Sequence, residues 1–471
     1  YLGGGSASLN PHYVVHPFEG IKSSLSDDIE IGYAKGCHTY KFLPAIPNDL
    51  FKENDGFKVD FYDGQEFEGS PIETKILKGN KFWAMGGFGL DIVAQSKRPS
   101  LSVRFTGDLQ PDFTGEYDFE IFSIGPSRLS IDGEILIDNW TSQEPGEAFF
   151  GMGSAPRRGK IDFEKGQTYS LEVEYKWEGR FPAVQIGMQA PDQFDLMEEA
   201  ESLAKDADAV ILIAGTNSDW ETEGNDRSSL DLPSNQDELI KKVSKLNKNT
   251  VVVLNTGAPC EMPWIEDVNA VLQCWFPGQE FGNSLSDVIF GKTNPSGKLP
   301  TTFPKTIKDT PAYSSYPGKD LQMDYEEGLF IGYRWYDREK IDPLFSFGHG
   351  LSYTTFEYSN LRAIPPKGTS SVAAFEVEIK NTGSLVGKEV VQGYIKVPVS
   401  KVERPEKELK KFEKILLEPG ETKKVQFELS ERELSFWSTD TKSWQVEPAE
   451  YIFEVGASAG DIRESASVWL G

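Results

Sequence analysis

Five charged residues, Asp219, Glu221, Glu223, Asp226 and Arg227, fall within Gly215-Thr216-Asn217-Ser218-Asp219-Trp220-Glu221-Thr222-Glu223-Gly224-Asn225-Asp226-Arg227. The stretch follows a continuous apolar run, Ala209-Val210-Ile211-Leu212-Ile213-Ala214. Such a run reads as a strand buried on both faces of a parallel sheet. Loops beyond the carboxyl ends of parallel strands are where open α/β sheets bind ligands. A carboxyl group there can give and take protons if burial or a like charge raises its pKa toward neutrality. Glu221 and Glu223 are rivals for that role. On an extended loop both point to the same side, so spacing alone does not separate them. Gly224 lets the backbone turn close to a ligand. Asp226 and Arg227 read as an ion pair that pins the loop.

Other chemistries find little support. Three cysteines (Cys37, Cys260, Cys274) rule out a disulfide scaffold and a four-thiolate zinc site. The four histidines (His12, His16, His38, His349) are scattered, so no multi-histidine metal centre is expected. A net charge of −26 repels phosphate backbones and anionic lipid, which argues against nucleic-acid and membrane-surface partners. No apolar run approaches the roughly 20 residues of a membrane span.

The elements that must position the loop follow from periodicity. At 471 residues the prior is about three domains. Residues 1–58 carry a helix over 17–25 and a short strand over 29–33. Over 59–190 the pattern alternates with period two, as in Tyr117-Asp118-Phe119-Glu120-Ile121-Phe122 and Leu171-Glu172-Val173-Glu174-Tyr175, which predicts an antiparallel β-sandwich. Over 191–344 strand and helix alternate: helices over 195–204, from Ser234 onward and over 282–290, and strands over 209–214, 251–254 and 270–275. Residues 345–471 return to alternation and form a second sandwich, with 401–414 as a solvated loop plus edge strand. The fold class is thus multidomain α/β plus all-β. Residues 1–58 and 191–344 build one α/β domain, and the 59–190 sandwich is inserted into it.

Further motifs follow in order: Leu230-Asp231-Leu232-Pro233, Trp275-Phe276-Pro277-Gly278-Gln279-Glu280, Asn294-Pro295-Ser296-Gly297-Lys298-Leu299-Pro300 and Phe347-Gly348-His349-Gly350-Leu351-Ser352-Tyr353. Together they resemble the C-terminal half of glycoside hydrolase family 3, the β-glucosidases and their relatives. Gly3-Gly4-Gly5-Ser6-Ala7 resembles a loop early in that half, and 345–471 resembles the family's fibronectin type III-like domain. Residues 59–190 are similar to the protective-antigen-type module that some of these enzymes carry, through Ser102-Val103-Arg104-Phe105-Thr106-Gly107 and Ile137-Asp138-Asn139-Trp140.

The resemblance implies a retaining glycosidase with two carboxyl groups about 5–5.5 Å apart and no metal or organic cofactor. The Glu-Gly-x-Asp-Arg context marks Glu223 as the acid/base, with Gly224, Asp226 and Arg227 supporting its loop. The family's nucleophile is an aspartate on a (β/α)₈ barrel that precedes this half. That barrel is not among these residues, and the opening Tyr1-Leu2-Gly3-Gly4-Gly5-Ser6 looks like the inside of something longer. The chain alone is therefore expected to be inactive. Ser218-Asp219-Trp220 resembles the nucleophile motif but follows an α/β strand, and is read as coincidence. Phe149 and Phe150, in Glu147-Ala148-Phe149-Phe150-Gly151-Met152-Gly153, are candidates to contact the aglycone or else form sandwich core. The implied partners are short β-glucosides such as cellobiose and the barrel, in cis or as a second chain; homo-oligomer formation is left open. Few cysteines and one sequon, Asn139-Trp140-Thr141, lean toward a cytoplasmic rather than a secreted protein, with a structural role expected for the sequon. The alternatives are a carbohydrate-binding or regulatory protein without catalysis, and a family enzyme for another sugar, such as a β-xylosidase or N-acetylglucosaminidase.

Overall fold

The computed structural model of the chain describes residues 2–79, 81–83, 100–178, 181–368 and 370–471. Residues 80, 84–99 and 179–180 of the expected 59–190 sandwich lie outside the described residues.

Among the described residues, a parallel sheet runs in the order Val210–Gly215, Thr250–Asn255, Ala270–Gln273. In the central strand Val252, Val253 and Leu254 are fully buried, as β-branched and apolar side chains between two layers should be. Val210–Gly215 departs from the expectation. It is an edge strand, and Ile213 is 41% exposed, so only one of its faces is fully covered. The helix Leu196–Asp206 starts where the Asp195 carboxylate accepts the Met197 and Glu198 N–H groups at 2.9 and 3.0 Å. The helix Gln236–Leu246 turns Leu239, Ile240 and Val243 onto the sheet.

The domain is assembled from both sides of the insertion. The helix Pro17–Ser24 crosses the helix Phe281–Ile289 at Gly20 and Gly282; a Cβ on Gly20 would lie 2.2 Å from the Gly282 carbonyl carbon. Residues 29–33 do not form the expected strand. Ile31 packs beside Ile21 and Phe281, while Ile29 and Tyr33 are exposed. The segment covers a helix pair without a strand to pair with, so its alternation yields burial without a ladder.

The inserted module holds two antiparallel sheets. One has the order Glu73–Leu77, Phe57–Asp63, Ser100–Leu109, Tyr169–Glu178, Ser127–Ile131, Glu134–Asn139; the other Lys81–Trp83, Ala183–Gln189, Gly115–Ile124, Arg157–Phe163. Phe57, Phe105, Phe119, Phe163 and Tyr175 fill the space between them. Asp132 and Gly133, both at positive φ, make the tight hairpin turn between Ser127–Ile131 and Glu134–Asn139. The sequon asparagine is part of the interior. Asn139 is fully buried, and its amide nitrogen donates to the hydroxyls of Ser123, Ser127 and Ser154 at 3.0–3.1 Å. At the base of the module His38 Nε2 lies 2.9 Å from Asp192. Buried Glu120 accepts from Arg158 at 2.8 Å and from the Leu43 N–H of the entering linker at 2.9 Å.

The C-terminal sandwich pairs the sheet Phe356–Ile364, Ser371–Asn381, Thr422–Ser430 with the sheet Glu408–Leu417, Gly387–Lys396, Ala449–Ser458, Asp461–Leu470. Phe375 and Phe453 stack across its core at 4.5 Å. Glu408–Leu417 is an edge strand as expected, but the charge-rich stretch before it is not wholly solvated. Lys407 is buried, with its ammonium 2.8 Å from both Asp337 oxygens, which ties this sandwich to the helix Tyr333–Glu339 of the connector that leads into it. Lys298 and Glu389, 3.1 Å apart, make a second tie. Burial pushes the Cys260 thiol up to about 12 and the Cys274 thiol up to about 11, and the three cysteines are free.

Candidate active site

The loop after Val210–Gly215 reverses at Asn217. The Asn217 side-chain oxygen accepts the Asp219 and Trp220 N–H groups at 2.9 and 3.3 Å, and its carbonyl accepts the Glu221 N–H at 3.0 Å. This Asx turn breaks the extended geometry that would place Glu221 and Glu223 on one side. Glu221 turns inward. Its Oε1 accepts the Gly257 N–H at 3.0 Å and the Thr216 hydroxyl, and lies 3.8 Å from Arg227. Glu223 turns outward and is exposed.

The expected Asp226–Arg227 ion pair is not formed. Arg227 pairs with Glu221 instead and donates to the Asp231 carbonyl at 2.9 Å. Asp226 accepts the phenol of Tyr316. Adjacent residues on a turning loop point apart, so each finds a partner elsewhere. Asp219, of the Ser-Asp-Trp triplet, sits within the Asx turn; the Trp220 indole donates to the Thr39 carbonyl at 2.8 Å.

Glu223 is held from below by the glycine-rich start of the chain. Ser6 donates to Glu223 Oε2 from its N–H at 3.1 Å and from its hydroxyl. Gly5 has φ +69°, and a Cβ there would lie 2.5 Å from the Glu223 Cβ, so only glycine allows this approach. The Gly4 N–H donates to the Glu221 carbonyl at 2.8 Å. The Ser6 hydroxyl, and then its N–H, hold the Glu223 carboxyl below the usual glutamate value. This is opposite to the upward shift expected of an acid/base. Two donors face the carboxylate, and desolvation is the smallest of the contributions.

The inserted module reaches the same loop from the side. The strand Gly115–Ile124 and the segment 145–154 carry a corner at Ala148–Gly151 in which Phe149 and Phe150 both adopt left-handed backbone, φ +54° and +60°. Phe149 is 6% exposed and packs with Phe122, Ala148 and Ala183, so it is core and presents no face to a ligand. Phe150 is 38% exposed, and its ring lies against Gly224. With its side-chain nitrogen turned toward the module, Asn225 donates to the Glu147 carbonyl at 2.9 Å. Lys41 bridges the Glu147 carboxylate, 3.0 Å away, and the face of Trp220, 5.7 Å from its centroid.

Thus Glu223, Gly224, Asp226 and Arg227 share one loop, and Phe150 meets it while Phe149 does not. Sequence reasoning missed Ser6, Lys41, Thr216 and Tyr316. Ser6 alone carried a signal, as the residue after the glycine run. The loop commits Glu221 to the interior and Asp226 to Tyr316, and presents Glu223 to solvent as a group that can exchange a proton.

The glycosyl hydrolase family 3 C-terminal domain matches residues 1–353, and a fibronectin type III-like domain matches residues 389–459. A β-glucosidase of Rhizobium radiobacter is 36% identical over the whole chain, which spans 57% of that relative's length. The crystal structure of a β-glucosidase from Kluyveromyces marxianus in complex with glucose superposes with a TM-score of 0.89 at 36% identity, covering all of this chain and 57% of that one. DesR, a β-glucosidase from Streptomyces venezuelae solved with D-glucose, superposes with a TM-score of 0.68 at 30% identity, again over the whole chain and 54% of its own length. On these matches the chain belongs to glycosyl hydrolase family 3, and residues 1–353 are its C-terminal domain.

Proposed function

We propose that this chain is the acid/base-bearing portion of a retaining β-glucosidase that removes terminal non-reducing β-D-glucosyl residues from short β-glucosides such as cellobiose. The observation that carries the reading is the outward Glu223 carboxylate, on the loop beyond a parallel strand, in a chain whose relatives are named β-glucosidases. An aspartate from a preceding barrel, in cis or as a second chain, attacks the anomeric carbon. As the C1–O bond breaks, the Glu223 proton passes to the departing oxygen. In the second half, the Glu223 carboxylate takes a proton from water while the water oxygen attacks C1 and frees the aspartate. The inserted two-sheet module is of the protective-antigen type and stands on the aglycone side, with Phe150 packed on the Glu223 loop.

Glu223 must be protonated for the first step. A barrel wall and a second carboxylate within about 5–5.5 Å act against the Ser6 donors and raise its pKa. The test uses an aryl β-glucoside with the chain alone and with the N-terminal portion that its relatives carry. The chain alone is expected to be silent and the combination active. In the combination, Glu223→Gln lowers kcat/KM most for poor leaving groups, because good ones leave without a proton. Equal loss across leaving groups would count against the acid role.

A further inference from the structure

We infer that the inserted module positions the acid/base: its 147–150 corner holds the 223–226 loop in place through Phe150 on Gly224 and the Glu147 carbonyl on Asn225. The inference rests on Glu223 being the acid/base, and it gives Phe150 a role distinct from stacking on substrate.

The corner is unusual in its backbone. Two consecutive non-glycine residues in the left-handed region are strained, and persist only where the surroundings fix them. Here the surroundings do. Phe149 is locked against Phe122, with ring centroids 5.5 Å apart. The Gly146 N–H bonds the Gly153 carbonyl and the Ser154 N–H bonds the Ser123 carbonyl, both at 2.9 Å. Behind them the Asn139 amide binds Ser123, Ser127 and Ser154. The strained backbone swings Phe150 out of the core that Phe149 occupies and lays it on Gly224 of another domain.

The contact belongs to a closed circuit. Lys41, on the linker entering the module, pairs with Glu147; the Trp220 indole bonds Thr39 on the same linker; Asn225 bonds the Glu147 carbonyl. Linker, corner and loop are thus tied pairwise. The linker is in turn fixed to the module by the Leu43 N–H on Glu120 and by the Met188 N–H on the Pro44 carbonyl at 2.9 Å. Glu223 and Gly224 are themselves exposed, so the loop takes little rigidity from burial. A proton donor must stand within hydrogen-bond reach of the departing oxygen, and a misplacement of about 1 Å can cost on the order of 100-fold in rate. Phe150 and the Glu147 carbonyl, on one side, and Ser6, on the other, set that position.

Two measurements test this. In the enzyme completed by the N-terminal portion, Phe150→Ala is expected to lower kcat/KM about 10–100-fold for cellobiose or an alkyl β-glucoside. It should change the value for 2,4-dinitrophenyl β-glucoside by less than about 3-fold, because that leaving group needs no proton. Phe150→Leu should restore most of the loss. Equal loss for both substrates, or no loss for either, overturns the inference. In the 471-residue chain itself, Phe150→Ala should speed amide hydrogen exchange over 222–227 and leave exchange in the strand Tyr169–Glu178 unchanged. Unchanged exchange over 222–227 overturns the contact. The exchange result does not depend on the role of Glu223, and Glu223→Gln kinetics test that role separately.

Discussion

The ring of Phe150 occupies the space a side chain on Gly224 would need: a Cβ there would lie 2.6 Å from Phe150 Cδ1. Gly224 also has φ +81°, where an L-residue is strained. Gly224→Ala should therefore destabilise the loop twice over, through its backbone and through displacement of Phe150. Urea unfolding is expected to show a loss of about 1–2 kcal/mol, and hydrogen exchange should place the new motion at 222–227. A variant as stable as the parent would contradict both the φ and the contact.

Glu221 and Glu223 should separate cleanly by stability. Glu221→Gln weakens an interior carboxylate shared by Thr216, Gly257 and Arg227, at roughly 1.5–3 kcal/mol for a charged hydrogen-bonded group. Glu223→Gln alters an exposed side chain held only by Ser6 and should move the thermal midpoint much less. Calorimetry of the two variants side by side decides the assignment.

Ser6 sets the protonation of Glu223. Removing its hydroxyl in Ser6→Ala should move the Glu223 titration up toward the ordinary glutamate value, since the largest lowering influence is lost. A ¹³C-labelled carboxyl followed by NMR through the acid range reads the shift directly. A midpoint that stays put or falls would mean that the Ser6 hydroxyl is not the donor that matters.

Asn139 should behave as a core residue despite its sequon. Asn139→Ala leaves Ser123, Ser127 and Ser154 short of their shared donor, at about 1–3 kcal/mol. Expression in a glycosylating host should give an intact mass without a glycan at this position, because the buried amide nitrogen, its two hydrogens shared among three hydroxyls, is closed to modification in the fold. An added glycan would require the module to fold around it.

His349 links stability to pH. Burial, and then the nearby Lys298 charge, hold its imidazole below the usual value. The unfolded chain therefore takes up this proton first, at about pH 6.5. The contribution of His349 is complete above that pH and is lost progressively as the pH falls through it. The thermal midpoint of the parent should fall more steeply between pH 7.5 and 5.5 than that of His349→Phe, which keeps the stacking on Phe345.

Periodicity in the sequence located the strands and helices because their cores are built by alternation and helical spacing, as Val252 to Leu254 and Leu239, Ile240 and Val243 illustrate. It failed where burial and pairing part company. Ile29, Ile31 and Tyr33 alternate without a partner strand, and the apolar run 209–214 is an edge. The loop carrying Glu223 was legible as a motif, but its inner arrangement was not. Arg227 lies next to Asp226 in sequence and pairs with Glu221, because a turn at Asn217 reorients every side chain after it. Lys41 and Tyr316 carried no sign of their role, since each meets the loop across a long stretch of chain, and Ser6 was marked only by the glycine run before it. Phe149 and Phe150 differ only in which way a strained backbone points them.

Ser6 and Glu223 are separated by 217 residues, and the other partners of the loop come from the entering linker, the inserted module and the connector at Tyr316. Contacts of that span form slowly, because closure entropy must be met before they return any energy. The Glu223 loop is therefore expected to set late in folding, together with the other contacts that join the two halves of the split domain, such as Val15 with Gln279. A chain emerging from the ribosome would carry a folded sandwich long before it carried an oriented carboxylate. By the same logic, partial unfolding would release the carboxylate's setting while both sandwiches stayed intact.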